Sequence, residues 1–180
     1  MKSHIRSIED FPKPGIIYRD ITPLLANPAV LHRATTEMVQ QVINLPGREW
    51  EVHNQTAPPA VAAVDSRGFI FGALLAQAFH WPLVLIRKEG KLPAETYKSS
   101  YTLEYGEATL EMHRDSILPD QEVIIVDDVL ATGGTAAAAV DLVEQAGGKV
   151  IAISFIIELL GLGGRDKLAG YQVLNQITFY

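Results

Sequence analysis

An α/β protein is predicted, with a central, mostly parallel sheet flanked by helices. Two observations carry that expectation. The short apolar runs Val61–Val64, Val123–Val126 and Val150–Ile157 show no regular polar alternation, the pattern of strands buried on both faces of a parallel sheet. Before and between them lie longer stretches of helical character, Leu31 to Leu45, Gly68 to Phe79 and Ala136 to Ala146. A chain of 180 residues, 48% hydrophobic and 20% charged, is long enough to bury a real core as one globular domain spanning 1–180. It has no cysteine, hence no disulfide framework and no thiol-ligated metal. The opening MKSHIRSIED is too charged for a signal peptide, and no apolar run reaches the ~18 residues of a membrane span, so a cytoplasmic protein without a membrane partner is expected. A net charge of −6 argues against a nucleic-acid surface and directs attention to small anionic ligands wherever cations cluster.

In chain order, Phe11 to Leu25 reads as no regular element, because prolines at 12, 14 and 23 and Gly15 interrupt both periodicities. By composition it is an ordered arm packed on the core. Asn27-Pro28 is a helix start, an N-cap followed by proline at the first helical position. Leu31, Ala34, Met38, Val42 and Leu45 then form an apolar stripe, with His32 on the solvated side. Residues 46–59 read as a loop with room for a short strand at Trp50–His53.

Val61–Val64 is the next strand, and Asp65-Ser66-Arg67-Gly68 is its exit into a helix beginning at Gly68. Arg67 is either a surface ion-pairing residue or an anion ligand, since a guanidinium there can take a phosphate bidentately. Pro82–Ile86 is a third strand, followed by Arg87, Lys88 and Lys91. These cations are a solvated patch or, beyond a strand's carboxyl end, part of a ligand site. Leu92 to Tyr101 reads as a polar loop. Ser100 to His113 reads as a hairpin turning at Tyr105-Gly106-Glu107, with Glu111 on its solvent side and His113 structural.

Val123 to Ala139 is the most informative stretch. A buried strand runs into Asp127 and Asp128, where repulsion and desolvation call for an electropositive or hydroxyl-bearing partner. Thr132-Gly133-Gly134-Thr135 then leads into an alanine-rich helix, so backbone N–H groups and the helix dipole can cradle a phosphate. Glycines alone would make only a tight turn; the paired acids beside them favour a ligand site. No lysine follows the second glycine, which excludes a Walker A loop, and Gly161-Leu162-Gly163-Gly164 lacks the last glycine of the dinucleotide fingerprint. Gly147-Gly148 ends the helix. Val150–Ile157, a turn with a short helix at GLGGRDKL, and a terminal strand over Tyr171–Tyr180 complete the chain.

VIIVDDVLATGGT resembles the phosphoribosyl pyrophosphate (PRPP) motif of the type I phosphoribosyltransferases. The resemblance implies that family's fold, a mostly parallel sheet with a small N-terminal hood, contributed mainly by 1–26 over a core of 27–180, and a flexible catalytic loop or hairpin. It implies that Asp127 and Asp128 bind the ribose hydroxyls and that Ala131, Thr132, Gly133, Gly134 and Thr135 bind the 5-phosphate. DSRGF resembles a pyrophosphate loop, implying roles for Asp65, Ser66 and Arg67 and a non-proline cis peptide between Asp65 and Ser66. RKEGKLP resembles a second such element, implying the same for Arg87, Lys88 and Lys91.

PGIIYRDITPLL resembles the hood of the adenine-using members of the family, with Tyr18 standing where phenylalanine is expected. It implies adenine contacts from Ile17, Tyr18 and Arg19, with Val129 and Leu159 as walls of the base pocket. LEYG implies Glu104 as general acid/base near N7 of the base and Tyr105 as part of the closing loop. The implied reaction is adenine plus PRPP giving AMP and pyrophosphate, a purine-salvage step, with Mg²⁺ carried by PRPP and no direct protein ligand. A homodimer is implied as well. A phosphoribosyltransferase for another base and a non-catalytic PRPP-binding regulator are the alternatives; the first should lack the hood signature, and the second the glutamate and the full set of cations.

Overall fold

The computed structural model describes residues 1–47, 57–103 and 106–180. The short strand considered at Trp50–His53 lies outside the described residues. The chain opens with β1 (Arg6–Ile8) and β2 (Tyr18–Asp20), paired antiparallel, followed by the one-turn helix α1 (Thr22–Leu25). The arm is therefore more regular than its prolines suggest. Pro23 sits in the first turn of α1, where a missing N–H costs nothing. Asp20 binds the arm together: it accepts from Arg6 Nη2 at 2.6 Å, from the Thr22 amide at 2.9 Å and from Thr22 Oγ1 at 2.8 Å. The Thr22 N–H first, and the Arg6 guanidinium next, hold the carboxyl at about 2 rather than 3.8.

Then follow α2 (Pro28–Ile43), β3 (Ala60–Val64), α3 (Gly68–Phe79), β4 (Leu83–Lys88), β5 (Thr96–Leu103), β6 (Gly106–His113), β7 (Glu122–Leu130), α4 (Gly134–Gln145), β8 (Lys149–Leu159) and β9 (Val173–Phe179). Asn27 caps α2 as expected, accepting from the amides of Ala29 and Val30 at 3.2 Å each. The seven-stranded sheet has the order β5-β6-β4-β3-β7-β8-β9. Strands β4, β3, β7, β8 and β9 are parallel neighbours, and the β5–β6 hairpin is added antiparallel through β4. This is the mostly parallel, helix-flanked sheet expected from the sequence.

Strand periodicity divides the core into two layers. Val61, Ile124 and Val126 face Met38 and Val42 of α2 and Phe71 and Leu75 of α3. Ala62, Val64, Val123 and Ile125 face Ala139, Leu142 and Val143 of α4, with Leu110 and Met112 of β6 extending that layer. All five residues of β3 are buried, which is why it carries no polar alternation.

Three boundaries differ from expectation, all in one direction. β7 continues through Asp127 and Asp128 to Leu130, because β8 pairs alongside it as far as Leu130↔Glu158. β4 continues through Arg87 and Lys88, which pair with Glu111 and Leu110 of β6. The hairpin begins at Thr96 and pairs through Leu103↔Gly106, so the polar stretch read as loop is largely strand and Gly106 and Glu107 are paired rather than turning. In each case a neighbouring strand supplies hydrogen-bond partners that local composition does not reveal.

Candidate active site

A cleft of about 420 Å³ opens at the carboxyl ends of β3, β4 and β7, where an open α/β sheet binds its ligands. It collects Asp65, Ser66, Arg67, Lys88, Asp127, Asp128, Val129, Ala131 and Thr135 from the expected set. Tyr18 reaches it from the hood, and Tyr101 and Leu110 from the hairpin. A smaller recess lined by Asp127, Ala131, Thr132, Gly133 and Thr135 adjoins it at the start of α4.

The carboxylate pair exists because of a difference in strand length. β3 pairs with β7 only as far as Ala63↔Val126, while β8 accompanies β7 further. Asp127 and Asp128 thus protrude past β3 into the crevice with their backbone still held. Gly68 closes the gap from below: a Cβ there would lie 2.8 Å from the Val126 carbonyl oxygen and 3.0 Å from Asp127 Oδ1. The Asp128 amide donates to Asp127 Oδ1 at 2.8 Å. Desolvation, then the Asp128 charge, push the Asp127 carboxyl well above the carboxylate range. Desolvation also raises Asp128, opposed by the Arg67 guanidinium. Arg67 Nε lies 2.7 Å from Asp128 Oδ2, yet no donor is aligned on that buried oxygen as a hydrogen bond.

The phosphate cradle is shaped by backbone. Gly133 has φ +78° and precedes α4, and a Cβ there would collide with the Gly164 carbonyl. The loop therefore rests directly on the Gly163-Gly164 turn. Arg165, next in that turn, is clamped by a fork of bonds to buried Glu158 at 2.6 and 2.8 Å. A Cβ on Gly134 would lie 3.1 Å from the Tyr101 ring, so the hairpin covers the cradle from the other side.

The peptide between Asp65 and Ser66 is cis, as the resemblance implies. The cations expected to meet a pyrophosphate are placed unequally. Lys88 lines the cleft. Arg87 Nε is 3.3 Å from Asp65 Oδ2, and its Nη1 donates to the Lys91 carbonyl at 3.0 Å. Lys91 is exposed beside the cleft, its amide donating to Glu111 Oε1 at 2.8 Å. Arg67 Nη1 donates to the Tyr18 hydroxyl at 2.5 Å and to the Arg19 carbonyl at 3.3 Å, so this side chain leans toward the hood. Ile17 is exposed, Arg19 half-buried and Leu159 packed on the hood-side core; none of the three lines the cleft. Glu104 and Tyr105 lie outside the described residues.

Glu111 is a correction. It is 3% exposed, not on the solvent side, and accepts from the amides of Lys91 and Leu92 at 2.8 Å each. Burial raises its carboxyl, but the amides of Leu92, Lys91 and Gly90 outweigh that and leave it lowered. Alternation in the hairpin could not reveal this, because the covering residues are backbone from another loop. Tyr101, Gly164 and the Glu158–Arg165 pair were also missed. Only the GLGG turn carried any sequence signal, and it had been read as a connection.

A crevice with a carboxylate pair, a glycine turn at a helix start and the cations Arg67 and Lys88 is the arrangement a phosphoribosyltransferase needs, and residues 35–174 match the family described as Phosphoribosyl transferase domain. The adenine phosphoribosyltransferase of Carboxydothermus hydrogenoformans is 49% identical over 179 residues, covering 99% of each chain. A crystal structure of the Thermoanaerobacter pseudethanolicus enzyme of that name superposes with a TM-score of 0.88 at 46% identity, covering 99% of this chain and 97% of that one. The Saccharomyces cerevisiae enzyme, solved with adenine and an imino-altritol bisphosphate, gives 0.84 at 35% identity over 97% and 95% of the two chains. The chain belongs to the adenine phosphoribosyltransferase family.

Proposed function

We propose that this chain transfers the 5-phosphoribosyl group of PRPP to adenine, forming AMP and releasing pyrophosphate. The observation that carries the reading is the convergence, in one cleft, of an aspartate pair, a phosphate turn, a strand-end lysine and a hood tyrosine.

The chemistry assigns the roles. Breaking the bond at the anomeric carbon builds positive charge on the ribose as pyrophosphate departs. Asp127 and Asp128 hold the ribose hydroxyls and fix the ring for in-line attack. Residues 131–135 hold the 5-phosphate. Lys88, Lys91 and Arg87, with Arg67 and the Asp65-Ser66 turn, receive the negative charge of the leaving group. N9 of adenine attacks while Glu104 handles the proton at N7. Tyr105 and the hairpin exclude water from the charged intermediate. Ile17, Tyr18 and Arg19 of the hood, with Val129 and Leu159, receive the base.

Mg²⁺ fits the cleft as an ion carried by PRPP, whose phosphate oxygens are hard donors, with the Asp65, Asp127 and Asp128 carboxylates adding negative charge nearby rather than a ligand set. Among the described residues no group of three or more His, Cys, Asp or Glu could hold the ion. The phosphate and ribose oxygens of PRPP would therefore carry most of its coordination. When bound it supplies charge neutralisation at the departing pyrophosphate. The reaction is assigned to the cytoplasm, because PRPP and AMP carry several charges and do not cross a bilayer unaided. A homodimer is proposed on the strength of exposed apolar side chains, Leu83 and Leu85 on β4 and Ile70 on α3, at 41%, 38% and 36% exposure.

A panel of purine bases with PRPP and Mg²⁺, followed by pyrophosphate release, tests the reading. Adenine should be the preferred acceptor by a wide margin; faster turnover of hypoxanthine or guanine would overturn it.

A further inference from the structure

The hood and the carboxylate pair share one cleft, and Arg67 is bonded to both. It leaves the end of β3 between them. Its Nε is 2.7 Å from Asp128 Oδ2, and its Nη1 donates to the Tyr18 hydroxyl at 2.5 Å and to the Arg19 carbonyl at 3.3 Å. The Tyr18 ring is held edge-on by Phe11, with centroids 5.2 Å apart, so the hydroxyl is presented from a braced ring. β2, which carries Tyr18, pairs with β1 and, among the described residues, has no strand partner in the main sheet.

We propose that the Tyr18 hydroxyl is a positioning group that, through Arg67, makes PRPP binding at Asp128 strengthen base binding in the hood. The inference rests on the reaction proposed above. A phenylalanine at position 18 would keep the ring, its packing on Phe11 and the Arg67 guanidinium 5.0 Å from its centroid, but of the two hydrogen bonds from Arg67 to the hood only the longer one to the Arg19 carbonyl would remain. When the ribose hydroxyls engage Asp128, the freedom of Arg67 falls. With the hydroxyl in place, that ordering passes to residues 17–19 before the base arrives, so the base meets a hood that is already set. The coupling is reciprocal, so the base must strengthen PRPP binding by the same factor.

The test measures that factor. Titration calorimetry gives the affinity of 9-deazaadenine, which has carbon in place of the reacting nitrogen, with and without saturating PRPP. The unmodified chain should bind the base analogue more tightly when PRPP is present. In Tyr18→Phe the enhancement should fall about tenfold, the factor typical of a lost hydrogen bond to a charged group, with the affinity for PRPP alone little changed. The kinetic counterpart is a KM for adenine, measured at saturating PRPP, that rises by a larger factor than kcat falls. An equal enhancement in both proteins would overturn the inference, as would a parallel weakening of both ligands that leaves their ratio intact, the mark of a merely structural hydroxyl. If the unmodified chain binds neither ligand, the proposed reaction falls as well, so the two failures are distinguishable.

Discussion

Asp127 sets stability against function at a single residue. Its carboxyl is pushed well above the usual range by desolvation and by Asp128. A folded-state pKa raised above the unfolded value means that the full stability is present below the unfolded pKa and is lost as pH rises toward the folded one. At neutral pH the carboxyl therefore costs stability in the ligand-free chain. Asp127→Asn should raise the melting temperature of the free chain near pH 7, with the difference shrinking below about pH 4, near the reference value of an aspartate. The same change should weaken PRPP binding about tenfold or more, the scale of a charge-assisted bond to a hydroxyl. Calorimetric melting and titration read the two effects; a variant that is both less stable and equally tight for PRPP would refute the account.

Glu111 shows how one element positions another. It sits in β6, yet its bonds are to the amides of Lys91 and Leu92, so the hairpin fixes the loop that presents a cation to the cleft. Its carboxyl is lowered from 4.5, so its contribution is present above that value and fades as pH falls through the lower folded-state pKa. Glu111→Gln should cost about 1 kcal/mol at pH 7, the difference between charged and neutral acceptors. The loss should narrow below about pH 4.5, and the KM for PRPP should rise with adenine KM unaffected. Denaturant melts across pH and initial rates check this; a constant stability gap from pH 7 to 3 would remove the ionised carboxylate from the explanation.

Across the whole molecule, the legible parts were those written in local chemistry. The β3 and β7 runs, the Asn27-Pro28 cap and the TGGT turn each declare themselves within a few residues. What stayed hidden depended on partners distant in sequence. β8 extends β7 past its acids, β6 extends β4 through its cations, and Gly164 supports Gly133 from a turn 31 positions away. The exposed leucines of β4 make the remaining prediction at this scale. Leu85→Glu should convert a dimer to a monomer in sedimentation equilibrium at micromolar protein, since an unpaired charge cannot be buried in an apolar contact. An unchanged mass would place the dimer contact elsewhere, and a monomeric parent chain would remove the dimer altogether.

The self-paired hood strands described above have a bearing on inheritance. Because β1 and β2 share no ladder with the seven-stranded sheet, a change of sequence there cannot shift the register of any strand carrying the sugar and phosphate residues. The segment meets the core through Ile5, Ile21 and Leu24, through Lys2 Nζ on the Thr178 carbonyl at 2.7 Å, and through Arg67. Under the proposed reaction, sequence changes in roughly the first two dozen codons act on the acceptor base without moving the strands that carry Asp127, Asp128 and Lys88. The hood is the part of the gene most open to experiment.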